Sequence, residues 1–108
     1  MRLLTAELRA QIPPLYSQEH VKLSEKTVYA KFFFPAGNWT WFVTEGEDDE
    51  GDFRMFGYVA GLEDEWGYFS LNELQSLSVH GLSVERDLYF KPGRFADVIQ
   101  MFRKERGL

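Results

Sequence analysis

The chain of 108 residues has no cysteine, two histidines and four prolines. Without thiols there are no disulfides, no thiolate nucleophiles and no cysteine-based metal sites. A reducing compartment fits this composition, and the expectation is a soluble cytoplasmic protein. His20 and His80 fall in segments that read as loops, with no serine placed to pair with either, so a nucleophile–histidine relay is unsupported. His20 next to Glu19 is the nearest thing to a ligand pair, but lone loop histidines are usually solvated, and no metal or cofactor is expected. No apolar run approaches the roughly 18 residues that span a membrane. Glu7 and Arg9 interrupt the opening "MRLLTAELRAQIPP" too early for a signal peptide.

Aromatic residues are plentiful. Ten Phe, five Tyr and three Trp make up 17% of the chain, within a hydrophobic share of 44%. Large rings contribute much buried area per residue. A chain of this length buries about two thirds of its unfolded surface, enough for one core, so residues 1–108 are expected to form one domain. Net charge is −5, and it is unevenly spread. Nine acids between Glu45 and Glu65 are opposed by Arg54 alone, whereas the segment from Arg86 onward is mildly basic.

Periodicity predicts an α+β fold, an antiparallel meander of about four strands with short N-terminal, middle and C-terminal helices packed on it. "TAELRAQI" is a short helix capped by Thr5 and stopped by Pro13-Pro14. "TVYAKFFF" (Thr27 to Phe34) is β-branched and aromatic enough for a strand. "NWTWFVTE" (Asn38 to Glu45) is a second strand, with Trp39, Trp41 and Val43 on one face and Phe42 on the other. "GEDDEG" reads as a turn. "DFRMFGYVAGL" (Asp52 to Leu62) is a third strand, with Gly57 and Gly61 marking a bulge or a close approach. A short "YF" segment leads to "SLNELQSL", whose Ser70 and Glu73 have capping-box spacing and whose Leu71, Leu74 and Leu77 would face a core. "SVERDLYF" (Ser83 to Phe90) is a fourth strand, and Phe95, Val98, Ile99 and Phe102 define an amphipathic last helix.

The acid run does not fit a calcium loop. Counted from Asp48, the sixth position is Phe53 instead of glycine, and the flanks read as strands. Nucleic-acid binding is not favoured at this net charge, despite the basic and aromatic "RDLYFKPGRF". The converse, acidic mimicry of DNA, requires acids spread over an extended face, and here they concentrate in two turns. A carboxylate pair at Glu63 and Glu65 would suit a small enzyme, although no catalytic residue can be assigned. Trp39 and Trp41, on one side of a strand, suit a sheet core under a helix as well as an exposed patch; on the second reading they join Glu63, Asp64, Glu65 and Trp66 in a protein-binding surface, since aromatic side chains dominate interface energetics.

The segments "LLTAELRAQIPPLYSQE", "VYAKFFFPAGNWTWFVTE", "FGYVAGLEDEWGYFSLNEL" and "ERDLYFKP" together resemble a bacterial family catalogued as domain of unknown function 2958. The resemblance runs from Leu3 to about Pro92. It implies a small bacterial protein of the kind carried on plasmids, phages and other mobile elements, with an accessory role in maintenance, transfer or defence evasion. An anti-restriction-type inhibitor is within that range. The resemblance carries no activity, cofactor or catalytic residue onto individual positions.

Overall fold

A computed structural model describes residues 2–107. Met1 and Leu108, the ends of the expected 1–108 domain, lie outside the described residues. The chain is α+β. In order it forms α1 (Ala6–Gln11), β1 (Thr27–Val28), β2 (Ala30–Phe33), β3 (Thr40–Asp49), β4 (Asp52–Ala60), β5 (Glu65–Ser70), α2 (Leu71–Ser76), β6 (Ser78–Val79), β7 (Leu82–Ser83), β8 (Glu85–Arg86), β9 (Gly93–Arg94) and α3 (Phe95–Glu105). The main sheet has five antiparallel strands in the order β5-β4-β3-β2-β8, and β1-β9 and β6-β7 form small separate ladders.

Large rings on alternating positions of β3 and β4 require cover on both faces, and both are covered in part. On one face Phe32, Trp41, Val43, Met55 and Phe69 pack with Leu4 and Ile12 from the N-terminal segment and Leu74 from α2. On the other, Val28, Phe42 and Tyr58 meet Phe95, Ile99 and Phe102 of α3. The Phe42 ring stands edge-on to Phe102 at 5.1 Å, so α3 is fixed over the middle of the sheet. The expected caps form: Thr5 Oγ1 accepts from the Leu8 N–H at 3.1 Å, and Ser70 Oγ from the Glu73 N–H at 3.2 Å. Leu77 departs from expectation. The helix ends at Ser76, and Leu77 is exposed.

Three strand assignments need correction. The acid run is strand down to Asp49, pairing residue by residue with β4, and only Glu50-Gly51 form the turn. Both have positive φ (46° and 88°), the two-residue geometry whose twist matches a β-ribbon. The short "YF" segment belongs to a six-residue strand, β5, paired with β4 from Arg54↔Ser70 to Val59↔Glu65. The expected strand at 83–90 contributes only Glu85–Arg86 to the sheet. It stops because the Asp87 carboxylate accepts from the Tyr89 N–H at 3.0 Å, a local turn that competes with the ladder.

One irregularity shapes everything downstream. The register of β3 on β4 shifts between Val43 and Glu45, which leaves Thr44 as an extra residue. Opposite it stands Gly57, where an added Cβ would lie 1.8 Å from the Phe42 carbonyl oxygen. The bulge therefore depends on a glycine at position 57. By inverting the alternation it also turns Glu45 to the α3 side of the sheet, in register with Phe56.

Candidate functional site

β2 pairs with β3 only as far as Val43. Beyond that point residues 13–18 run along the vacated edge, starting with the Gly46 N–H donated to the Pro13 carbonyl at 2.9 Å. This segment carries the chain from the α1 side to the α3 side, and Glu45 anchors it. The Glu45 side chain is 3% exposed, with Oε1 accepting from the Tyr16 N–H at 2.9 Å and Oε2 from the Gln18 N–H at 2.8 Å. Tyr16 takes a left-handed backbone (φ 73°), which helps two nearby amides converge on one carboxylate. Gln18 extends the anchor, since its amide donates to the Thr27 and Thr44 carbonyls and accepts from the Thr27 N–H. Lys26, also buried, donates its ammonium to the Gln18 carbonyl.

Between this segment and the sheet lies a recess of about 550 Å³, bordered by Tyr16, His20, Lys22, Lys26, Glu45, Phe56 and Tyr68. A second recess of about 760 Å³ continues past Leu23 to Trp66, Phe95, Arg103 and Lys104. α3 does not cover this half of the sheet face, and its floor is aromatic. Phe56 stacks on Trp66 at 5.9 Å and meets Tyr68 at 5.0 Å, while Trp66 leans on Phe95 at 4.7 Å. The Arg54 guanidinium lies 4.7 Å from the Tyr68 ring centre. Tyr68 is held above the usual phenol range, first by its hydrogen bond with Tyr16 and then by burial. In a chain of net charge −5, the rim carries Lys22, Arg54, Arg103 and Lys104 against the exposed Glu19, with Glu47 opposite Arg54 in the ladder.

The six residues singled out in the sequence do not form one surface. Trp41 is in the core at 6% exposure, and Trp39 stacks on it at 6.3 Å while remaining 38% exposed. Trp39 also lies over Gly61, where a Cβ would come within 2.5 Å of the indole. Trp66 is on the opposite face, half-buried in the aromatic floor. Glu63, Asp64 and Glu65 are exposed around the turn into β5, and Asp64 accepts from the Tyr58 hydroxyl at 3.0 Å. Burial, and after it this contact with Asp64, raises the Tyr58 phenol above its ordinary value. Neither Glu63 nor Glu65 borders a described recess. The two acidic turns stand at opposite ends of β4, with Arg54, Phe56 and Tyr58 between them.

Tyr16, Phe56 and Tyr68 were missed. Their signal was a mirrored pattern, "FGY" at 56–58 and "WGY" at 66–68, placing rings at alternate positions on either side of one turn. A family model described as "Protein of unknown function (DUF2958)" matches residues 3–104. The chain belongs to the DUF2958 family. No curated protein and no solved structure matches it. Within this DUF2958 chain the matched region takes in the whole aromatic floor, the Glu45 anchor and α3 up to Lys104.

Proposed function

We propose that the protein acts by binding a protein partner, as a cytoplasmic accessory factor of a bacterial mobile element, and that the open half of the α3-side sheet face is the seat. The observation that carries this reading is the half-exposed floor of Phe56, Trp66 and Tyr68, rimmed by Lys22, Arg54, Arg103 and Lys104. Tyrosine, tryptophan and arginine are the residues most enriched at interface hot spots, and such residues need a concave, partly desolvated setting. With four cations against Glu19, the rim favours an acidic segment of the partner. A photo-crosslinking residue at Lys22 tests the proposal in the native host. The expected result is one protein adduct that disappears when Tyr16 and Tyr68 are both replaced by alanine. A nucleic-acid adduct, or a protein adduct indifferent to the double replacement, would refute it.

A second reading keeps the turn side of the sheet as the contact. It is favoured by Leu62, 93% exposed and next in the chain to Gly61, over which Trp39 lies. Glu63, Asp64 and Glu65 would supply its acidic margin. Leu62→Ser with Trp39→Ala would abolish capture on this reading and leave it intact on the first.

A further inference from the structure

Among the described residues, β5 is the one long free edge of the main sheet. It has six residues, whereas the opposite edge, β8, has two. Edges are commonly protected by lysine, proline or a bulge, and "EWGYFS" contains none of these. Hydrogen bonds further in show which backbone groups face outward. The Phe34 N–H donates to the Trp39 carbonyl, so Trp39 and Trp41 turn their backbone groups to β2, and Thr40 and Phe42 turn theirs to β4. Phe42 pairs with Tyr58, and the Phe56 carbonyl accepts from Thr44 Oγ1, which places the even-numbered residues of β4 toward β3. Met55, Gly57 and Val59 therefore bond to Phe69, Gly67 and Glu65. The N–H and C=O groups of Trp66 and Tyr68 are left pointing away from the sheet, and no strand pairs with them. From Ser70 the chain turns back over β4 through α2, with Leu74 in the core. A Cβ on Gly67 would meet nothing within 4 Å.

We propose that a second copy of this chain pairs antiparallel with this edge, with Gly67 on the two-fold axis. In that register Trp66 of each copy exchanges both backbone hydrogen bonds with Tyr68 of the other. The two Gly67 residues face each other as a non-hydrogen-bonded pair, where Cα atoms approach to about 4.5 Å and a missing side chain helps. A slip by one residue would oppose Trp66 to Phe69, whose side chains lie on different faces, and a slip by two would place Trp66 or Tyr68 on the axis in place of the glycine. Charge agrees with it. Continuing the pairing sets the exposed Asp64 of one copy opposite Ser70 of the other, whose neighbour across the ladder is the exposed Arg54. Trp66 of one copy meets the Tyr68 ring of the other, which already carries the Arg54 guanidinium, and the two aromatic floors become continuous. The pairing rests on strand geometry and not on the proposed protein partner, so either can fail alone.

The test uses the chain's lack of cysteine, which makes an introduced thiol the only one present. Wild-type protein should show a monomer–dimer equilibrium that shifts with concentration in sedimentation velocity. Gly67→Lys, which has open space for its side chain, should remain monomeric with an unchanged circular dichroism spectrum. Mild oxidation should cross-link Gly67→Cys at least about tenfold faster than Met101→Cys, an exposed control on α3, because pairing raises the effective thiol concentration. Three results would overturn the proposal: a wild-type monomer at every concentration, a dimer that survives Gly67→Lys, or equal cross-linking rates. If the edge instead receives a strand from a different protein, the isolated chain will give the first of these.

Discussion

Replacing Glu45 with glutamine changes one atom of a buried side chain and isolates the anchor of the 13–18 segment. The carboxylate gives one oxygen to the Tyr16 N–H and the other to the Gln18 N–H, both within 2.9 Å. Glutamine preserves the shape and one acceptor but turns an NH₂ group toward the remaining backbone N–H. A hydrogen bond to a charged group contributes about 1.5–3 kcal/mol, and a buried N–H left unpaired costs about 1–3 kcal/mol; because these overlap, the expected loss is about 2–4 kcal/mol. For a domain of this size that corresponds to a fall in Tm of roughly 10–30 °C. Urea unfolding should show a lower midpoint at unchanged m, and amide exchange at Tyr16 and Gln18 should accelerate well beyond that of the β3–β4 ladder. Glu47→Gln is the control, since exposed Glu47 accepts only from the Leu15 N–H at 3.0 Å and its replacement should shift the midpoint less. If Glu45→Gln is within about 0.5 kcal/mol of wild type, a range typical of surface substitutions, the anchor argument fails.

Gly57→Ala should prevent stable folding, because its Cβ would overlap the Phe42 carbonyl, whereas Gly67→Ala at low protein concentration should cost little; thermal melts of the two variants check the contrast. Asp52 is held below its usual carboxylate range chiefly by the Asn72 N–H at 3.0 Å, with Ser70 and Phe53 assisting. Its contribution is therefore present above the unfolded value of about 3.9 and lost as pH falls through the lower folded value, so Asp52→Asn should flatten the acid limb of a stability–pH curve below about pH 4. Acrylamide quenching of variants retaining one tryptophan should rank Trp41 as the most protected and Trp39 as clearly accessible, and equal quenching of the two would contradict the packing.

Elements fixed by short-range chemistry were legible in the sequence. The caps at Thr5 and Ser70 and the four-residue stripe of α3 depend on neighbours within one or two turns, whereas the expected strand from Thr27 to Phe34 divides at Tyr29 into Thr27–Val28, paired with β9, and Ala30–Phe33 in the main sheet. β5 was hidden because Gly67 and the acids before it look like a loop, and only pairing with β4 makes them strand. The acid run misled because both faces of the projecting ribbon are wet, at Glu47 and Asp49 on one and Asp48 on the other, so no alternation remained to be read. Glu45 was invisible as a buried group, since its partners come from a segment 27 to 29 residues away. The same limit applied to the candidate site. Tyr16 reaches Tyr68 only because residues 13–18 cross the sheet edge, and Trp66 separates from Trp39 and Trp41 by the parity of a strand not recognised as one.

The extra residue at Thr44 bears on how this sequence tolerates insertion and deletion. Up to Val43 the strand reads in one frame, and after Thr44 it reads in the other. Deleting Thr44 would leave Glu45 opposite Phe56 on the α3 side, because it would then follow Val43 directly, but it would remove the buried carbonyl that accepts from the Gln18 amide and the hydroxyl that donates to the Phe56 carbonyl. A residue added at Gly51, where a Cβ would meet nothing within 4 Å, would disturb only the ribbon tip. The strand is thus indifferent to length at its turn and strict about it seven residues earlier. Natural length variants should accumulate at the first position and be missing from the second.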